Sequence, residues 1–187
     1  FVKPVDIYLL NGYPLERDFG IRRGIPIDRY YIEKFLSENS CIIGNVLEIG
    51  DNRYSKKFGK NIISHVLRGK NGMDYINLDG SLLEYETLSN YGLFNTLIVT
   101  NVLSFIFDHN KALENLSKII DKGGKCLITV NGLSGMSNYD NDRWGDYWRY
   151  SEKSLSKLLR KHFKQFEIKS YGNASTAAGI IIGLTTE

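Results

Sequence analysis

Cysteine is scarce in this 187-residue chain: Cys41 and Cys126 stand far apart, each beside an apolar run. That spacing argues against a disulfide framework and leads us to expect two buried free thiols, which suits a reducing cytoplasm. An excess of charge is lacking too. Lys and Arg number 24 and Asp and Glu 21, and a net +3 is too small to argue for nucleic acid or an anionic membrane. No apolar stretch approaches the roughly 20 residues that span a bilayer. The first residues carry no signal-peptide pattern, so a cytoplasmic location is expected. Repeats, low-complexity segments and Pro/Gly/Ser-rich linkers are missing. No Cys/His spacing suggests a structural metal, and there is neither a Gly-x-Ser-x-Gly elbow nor a P-loop, which disfavours hydrolase and NTPase chemistry. A 42% hydrophobic chain of this length can bury a core as one domain over 1–187.

The order of periodic segments predicts an α/β protein. Turn signals fill the first 25 residues, at Asn11-Gly12, Tyr13-Pro14 and Gly24. A helix is expected from Asp28, taken as its N-cap, with Tyr31, Phe35 and Leu36 on one face. The apolar strand Asn45 to Ile49 is stopped by Gly50, and Ile62 to Leu67 and Met73 to Leu78 read as two further strands. Phe94 to Thr100 is nearly continuous in apolar character, as in a strand covered on both faces. Asp108 to Ile120 reads as a helix halted by Gly123-Gly124, and Lys125 to Val130 as another buried strand. Ser151 to Phe163 is a periodic helix, followed by two strand-like runs, Phe166 to Tyr171 and Gly179 to Leu184. Residues 1–40 would then cover a sheet core over 45–187. The last two runs are too close for a crossover helix, so an antiparallel return is expected.

Ligands of open α/β sheets bind outside the carboxyl ends of the strands. The first strand ends Leu47-Glu48-Ile49-Gly50-Asp51-Asn52, where a glycine lets backbone approach a ligand. A strand ending Glu-Ile-Gly, then Phe-Asn-Thr-Leu-Ile-Val-Thr-Asn-Val-Leu, a helix and Asp-Lys-Gly-Gly-Lys-Cys-Leu-Ile-Thr-Val follow in order. From about Asn45 onward this resembles the class I S-adenosylmethionine-dependent methyltransferases. Arg23 to Glu33, Val46 to Asp51, Arg143 to Tyr150 and Tyr171-Gly172-Asn173 also resemble a bacterial methyltransferase-domain group. That group occurs alone or beside glycosyltransferases of surface-polysaccharide loci. The resemblance implies a Rossmann-like, seven-stranded mixed sheet with helices on both faces and an antiparallel last strand.

The resemblance also implies roles. Glu48, Gly50, Asp51 and Asn52 would line the methionine end of S-adenosyl-L-methionine, with S-adenosyl-L-homocysteine as the product. His65 would face the ribose, Asn77 and Leu78 would border the adenine, and Asn101, Val102 and Leu103 would form the floor beneath the sulfonium. Arg29 and Tyr30 would cover the site. The chain departs from the pattern in having no second or third glycine after Gly50, and in placing His65, Asn77 and Asn95 where acids are usual. Neutral side chains hold hydroxyls less well than a carboxylate does, although Asp74 or Asp79 could substitute after a register shift.

Tyr139 to Tyr150 is the most unusual stretch, and it follows the fifth expected strand. Tyr139, Trp144, Tyr147 and Arg149 are candidates to bind the acceptor, because aromatic faces stack on sugars and Arg pairs with phosphates. His109, Asp140 and Asp146 are candidate bases. The function expected is O-methylation of a sugar or sugar-linked group in surface (capsular) polysaccharide biosynthesis. The partners expected are a small-molecule or glycan-linked acceptor, with no nucleic acid and no membrane span. The alternative is an inactive methyltransferase-like module that positions a glycosyltransferase. A Rossmann oxidoreductase ranks third, since Gly-x-Gly-x-x-Gly is absent.

Overall fold

In the computed structural model, residues 12–16, 19–39, 41–67 and 92–186 are described. Four strands form one sheet: β1 (Ile42–Ile49), β2 (Gly59–Leu67), β3 (Phe94–Thr100) and β4 (Ile120–Thr129). Their order is β2-β1-β3-β4, and every pair is parallel. Six helices accompany them among the described residues: α1 (Ile27–Glu38), α2 (Arg53–Phe58), α3 (His109–Lys118), α4 (Asn138–Trp144), α5 (Glu152–Leu159) and α6 (Ala174–Ile182).

Strand alternation divides the core into two layers. Leu47, Ile49, Leu97 and Val99 face one side, where Leu113 and Leu116 of α3 and Leu155 and Leu159 of α5 cover them. Val46, Ile98 and Leu127 face the other, against Ile32 and Leu36 of α1 and Tyr54 of α2. Because both faces of β1 and β3 are covered, their sequences read as unbroken apolar runs rather than alternating ones.

The strand count differs from expectation. Among the described residues the sheet has four parallel strands, not seven with an antiparallel last one. The run Gly179 to Leu184, expected to be that strand, lies mostly in α6. Local capping decides this. Asn173 accepts from Thr176 N at 3.0 Å, Thr176 Oγ1 accepts from Asn173 N at 2.6 Å, and Gly183 closes the helix in the left-handed region. These fixed ends outweigh the β preference of three consecutive isoleucines. Phe166 to Tyr171 joins no ladder. The expected strand Met73 to Leu78 lies outside the described residues.

Smaller corrections have equally local causes. α1 begins at Ile27 after Pro26, so Asp28 sits in its first turn instead of capping it. α3 stops at Lys118, and Gly123-Gly124 fall inside β4 where the pairing with β3 shifts register. A Cβ on Gly124 would lie 2.9 Å from Phe94 O, so the close strand approach requires glycine there. Asp108 does cap α3, accepting from Lys111 N at 2.9 Å. Cys41 is exposed rather than buried, while burial pushes the Cys126 thiol up to about 12. No helix among the described residues is long and apolar enough to cross a membrane.

Candidate functional site

The carboxyl edge of the sheet is built by neighbouring strand ends. Glu48 of β1 pairs with Ile98 of β3, and Thr100 of β3 with Thr129 of β4, so the turns after Ile49 and Thr100 and the end of β4 emerge side by side. Gly50 turns the chain with φ of 101°, a conformation that disfavours any side chain, and its N–H donates to Leu67 O at 3.1 Å. Asn101 also has a positive φ, 54°, which is uncommon for a residue with a side chain. Its N–H donates to Thr129 O at 3.0 Å and its side chain accepts from Thr129 Oγ1 at 3.2 Å. Such outliers persist only where surrounding contacts enforce them.

The turn after β1 is organised by Glu48. Its side chain is 1% exposed and accepts from Tyr54 N at 3.0 Å and Ser55 N at 2.7 Å, which ties down two donors in the first turn of α2. Burial raises the Glu48 carboxyl above its usual range, and the Ser55 and Tyr54 donors oppose that shift. Asp51 accepts from Arg53 N at 2.8 Å, and Asn52 stands at the N-cap of α2. Glu48 therefore shapes the turn from beneath, while Gly50, Asp51 and Asn52 remain partly open at the edge.

The other expected cofactor residues are dispersed. His65 lies opposite Leu47, two residues before β2 ends, with its ring edge-on to Phe94 at 5.8 Å. Val102 and Leu103 are buried in the core beneath the edge. Tyr30 is exposed, edge-on to Tyr31 at 5.3 Å, and Arg29 is half-buried beside it on α1. Asn77 and Leu78 lie outside the described residues, as do Asp74 and Asp79.

The segment after β4 folds back on the exit of β3. Ser104 O accepts from Tyr147 N at 2.9 Å and from Trp148 N at 3.2 Å, and the Trp148 indole donates to Ile106 O at 3.1 Å. Tyr150 is buried, with its hydroxyl donating to Leu103 O at 3.0 Å. Asp146 and Arg149 grip each other through both guanidinium nitrogens, one contact at 2.8 Å, and Arg149 also donates to Gly135 O at 2.8 Å. Asp140 accepts from the Trp144 indole at 3.2 Å, and the Arg143 guanidinium lies 3.4 Å from the Tyr139 ring centroid. Tyr139 and Tyr147 stay exposed, Tyr147 packing edge-on against Phe107 at 5.4 Å. Gly145 permits this path, since a Cβ there would collide with the Tyr147 ring. Asp140, Asp146 and Arg149 thus have their polar atoms engaged within the segment itself.

His109 opens α3 with Nδ1 3.1 Å from the Tyr150 hydroxyl and its ring 4.8 Å from Trp148. Because that hydroxyl donates to Leu103 O, Nδ1 must carry the proton, which leaves Nε2 as the basic nitrogen. Burial lowers the His109 pKa below its usual value, with Asp108 opposing, so the neutral ring prevails at neutral pH.

Residue-level reasoning missed Asp28. Its carboxylate accepts from Asn101 Nδ2 at 3.2 Å, joining α1 to the exit of β3, and burial raises its pKa. Asp28, Asn101 and Thr129 border a cavity of about 1040 Å³ that runs along β4 between α1, α5 and the 164–173 segment. The turn at Gly50 to Asn52 does not line that cavity.

No protein-family model matches the chain, and no curated protein matches it. Among solved structures it is similar to the N-methyltransferase NodS from Bradyrhizobium japonicum WM9, with 19% identity and a TM-score of 0.52 over 81% of this chain and 92% of that one. A SAM-dependent methyltransferase from Thermotoga maritima shares 16% identity at a TM-score of 0.41, covering 73% of this chain and 72% of that one. Phosphoethanolamine N-methyltransferase 2 of Haemonchus contortus, solved with S-adenosyl-L-methionine, shares 15% at 0.43, covering 79% of this chain and 44% of its own. The likeness to NodS shows the fold: a Rossmann-like methyltransferase fold.

Proposed function

We propose that this chain is an S-adenosylmethionine-dependent methyltransferase that modifies a sugar or sugar-linked group in surface-polysaccharide biosynthesis. The observation that carries the reading is the paired strand exit. Gly50 at φ 101° and Asn101 at φ 54° stand on adjacent strands at one sheet edge, each held by a backbone hydrogen bond. The turn fits the methionine end of the cofactor, since Gly50 offers no Cβ and Glu48 fixes the following backbone from inside. When bound, S-adenosyl-L-methionine supplies an activated methyl group. The chain's own part is to align the acceptor beside Asn101, where proximity accounts for most of the acceleration. His109, neutral with Nε2 unprotonated, is a candidate to take up a proton.

Calorimetric titration with S-adenosyl-L-homocysteine tests this reading. Saturable binding that is lost in Gly50→Val, with the sheet intact by circular dichroism, supports it. A second reading, an inactive module that positions a glycosyltransferase, is favoured by the inward use of Glu48 and the engagement of Asp51 with Arg53. Absence of binding to the wild-type chain would favour that reading.

A further inference from the structure

The positive charge of this chain is unevenly placed. Residues 151–169 hold six Lys and Arg against two Glu, a net of +4 where the whole chain carries +3. α5 fixes how that charge is displayed. Leu155 and Leu159 anchor one face of the helix in the core, so Lys153, Lys157 and Arg160 fall in a stripe on the opposite face. All three are exposed, and among the described residues none enters an ion pair or a side-chain hydrogen bond. Lys57, Lys111, Lys118 and Lys169, by contrast, each have a carboxylate partner. Lys161 and Lys164, also exposed, carry the charge past the end of α5. An open groove of about 440 Å³ runs beside the stripe and is lined as well by Ile168 and by Phe166, which is 37% exposed. Glu152 is its one acid, at the start of the helix, where it accepts from Ser170 Oγ at 3.5 Å.

Like charges one turn apart on a helix repel, so the stripe gains from any partner that brings negative charge. The kind of partner follows from what accompanies the cations. The centre of a protein interface is poor in charge and rich in aromatic anchors, whereas this face is charged along its length with a single aromatic beside it. A nucleic-acid duplex offers phosphates but nothing that rewards an apolar ring. A bilayer of anionic lipid offers both phosphates and an apolar boundary just beneath them. We propose that the cationic face of α5, together with Phe166, docks on an anionic membrane surface. Lys153, Lys157 and Arg160 meet the lipid phosphates, and the Phe166 ring enters the headgroup boundary. The contact is peripheral and stands independently of the methyltransferase reading. The small net charge of the whole chain conceals it, because residues outside 151–169 sum to a slight negative charge.

Sedimentation with vesicles of phosphatidylcholine and of phosphatidylglycerol tests the proposal. The wild-type chain should partition onto phosphatidylglycerol at least about 100-fold more strongly, and about 0.5 M salt should release it. Replacing Lys153, Lys157 and Arg160 together by Gln should abolish most of that preference. Replacing Lys56, Lys60 and Lys122 by Gln removes the same charge elsewhere on the surface and should leave the preference largely intact. Phe166→Ala should weaken binding to phosphatidylglycerol about threefold or more while the salt dependence persists. Circular dichroism confirms that each variant is folded. Equal binding to the two vesicle types overturns the proposal, as does a loss that is the same in both triple variants or an undiminished affinity in Phe166→Ala. Preference for polyglutamate or for a DNA duplex over phosphatidylglycerol would assign the face to a protein or a nucleic acid and would overturn it too.

Discussion

Replacing Tyr150 by Phe removes one oxygen from a residue that is 6% exposed and changes no charge. That oxygen donates to Leu103 O at 3.0 Å and stands 3.1 Å from His109 Nδ1. Leu103 is fully buried, and without the phenol its carbonyl keeps only the long 3.4 Å bond from Ile106 N. The lost bond costs about 1 kcal/mol and the carbonyl left on that weaker contact up to about 1 more, giving a destabilisation of about 1 to 2 kcal/mol. With a urea dependence of about 2 kcal/mol per molar, the unfolding midpoint should drop by about 0.5 to 1 M. The same change frees the imidazole of His109. In the wild type Nδ1 bears the proton; in Tyr150→Phe the proton should move to Nε2, visible in the ¹⁵N shifts of the ring. A midpoint within about 0.2 M of the wild type, together with an unchanged tautomer, would refute the reasoning.

Glu48→Ala strands the Tyr54 and Ser55 N–H groups and opens a void, so it should cost about 3 to 5 kcal/mol by chemical denaturation. Arg149→Lys cannot reproduce the two-pronged contact with Asp146 or the bond to Gly135 O, and should cost about 1 to 2 kcal/mol in thermal unfolding. In a double-mutant cycle with Asp146→Asn the two effects should couple rather than add, and full additivity would show that the pair contributes nothing. Burial lowers the pKa of both His109 and His162 in the folded chain. Their contribution to stability is therefore present above the unfolded value of about 6.5 and is lost as the pH falls below it. Replacing both by Gln should flatten that slope in pH-dependent denaturation.

Much of the sheet was legible because burial on two faces leaves its mark in sequence. β1 and β3 read as apolar runs, and Gly50 marked the turn that the structure places at the carboxyl edge. Asp108 was legible as a cap because its side chain acts within three residues. The C-terminal elements were misread because an isoleucine run suits a strand as well as a buried helix, and the deciding Asn173–Thr176 cap begins seven residues upstream of it. Asp28 was missed for a different reason. Its partner Asn101 is 73 residues away, and nothing local distinguishes a carboxylate that caps a helix from one that crosses to another strand. The 139–150 segment was recognisable as a loop rich in large polar-tipped residues, but its pairings were not, since Asp146 with Arg149 is one of several arrangements its composition allows.

We propose that the turn after β1 and the exit of β3 together receive the cofactor. Backbone amide shifts on titration with S-adenosyl-L-homocysteine test it most directly. The largest changes are expected at Gly50, Asp51, Asn52 and Asn101, with Ile42, Asn45 and Gly59 at the opposite edge unmoved. Shifts confined to that opposite edge, or none at saturating ligand, would contradict it.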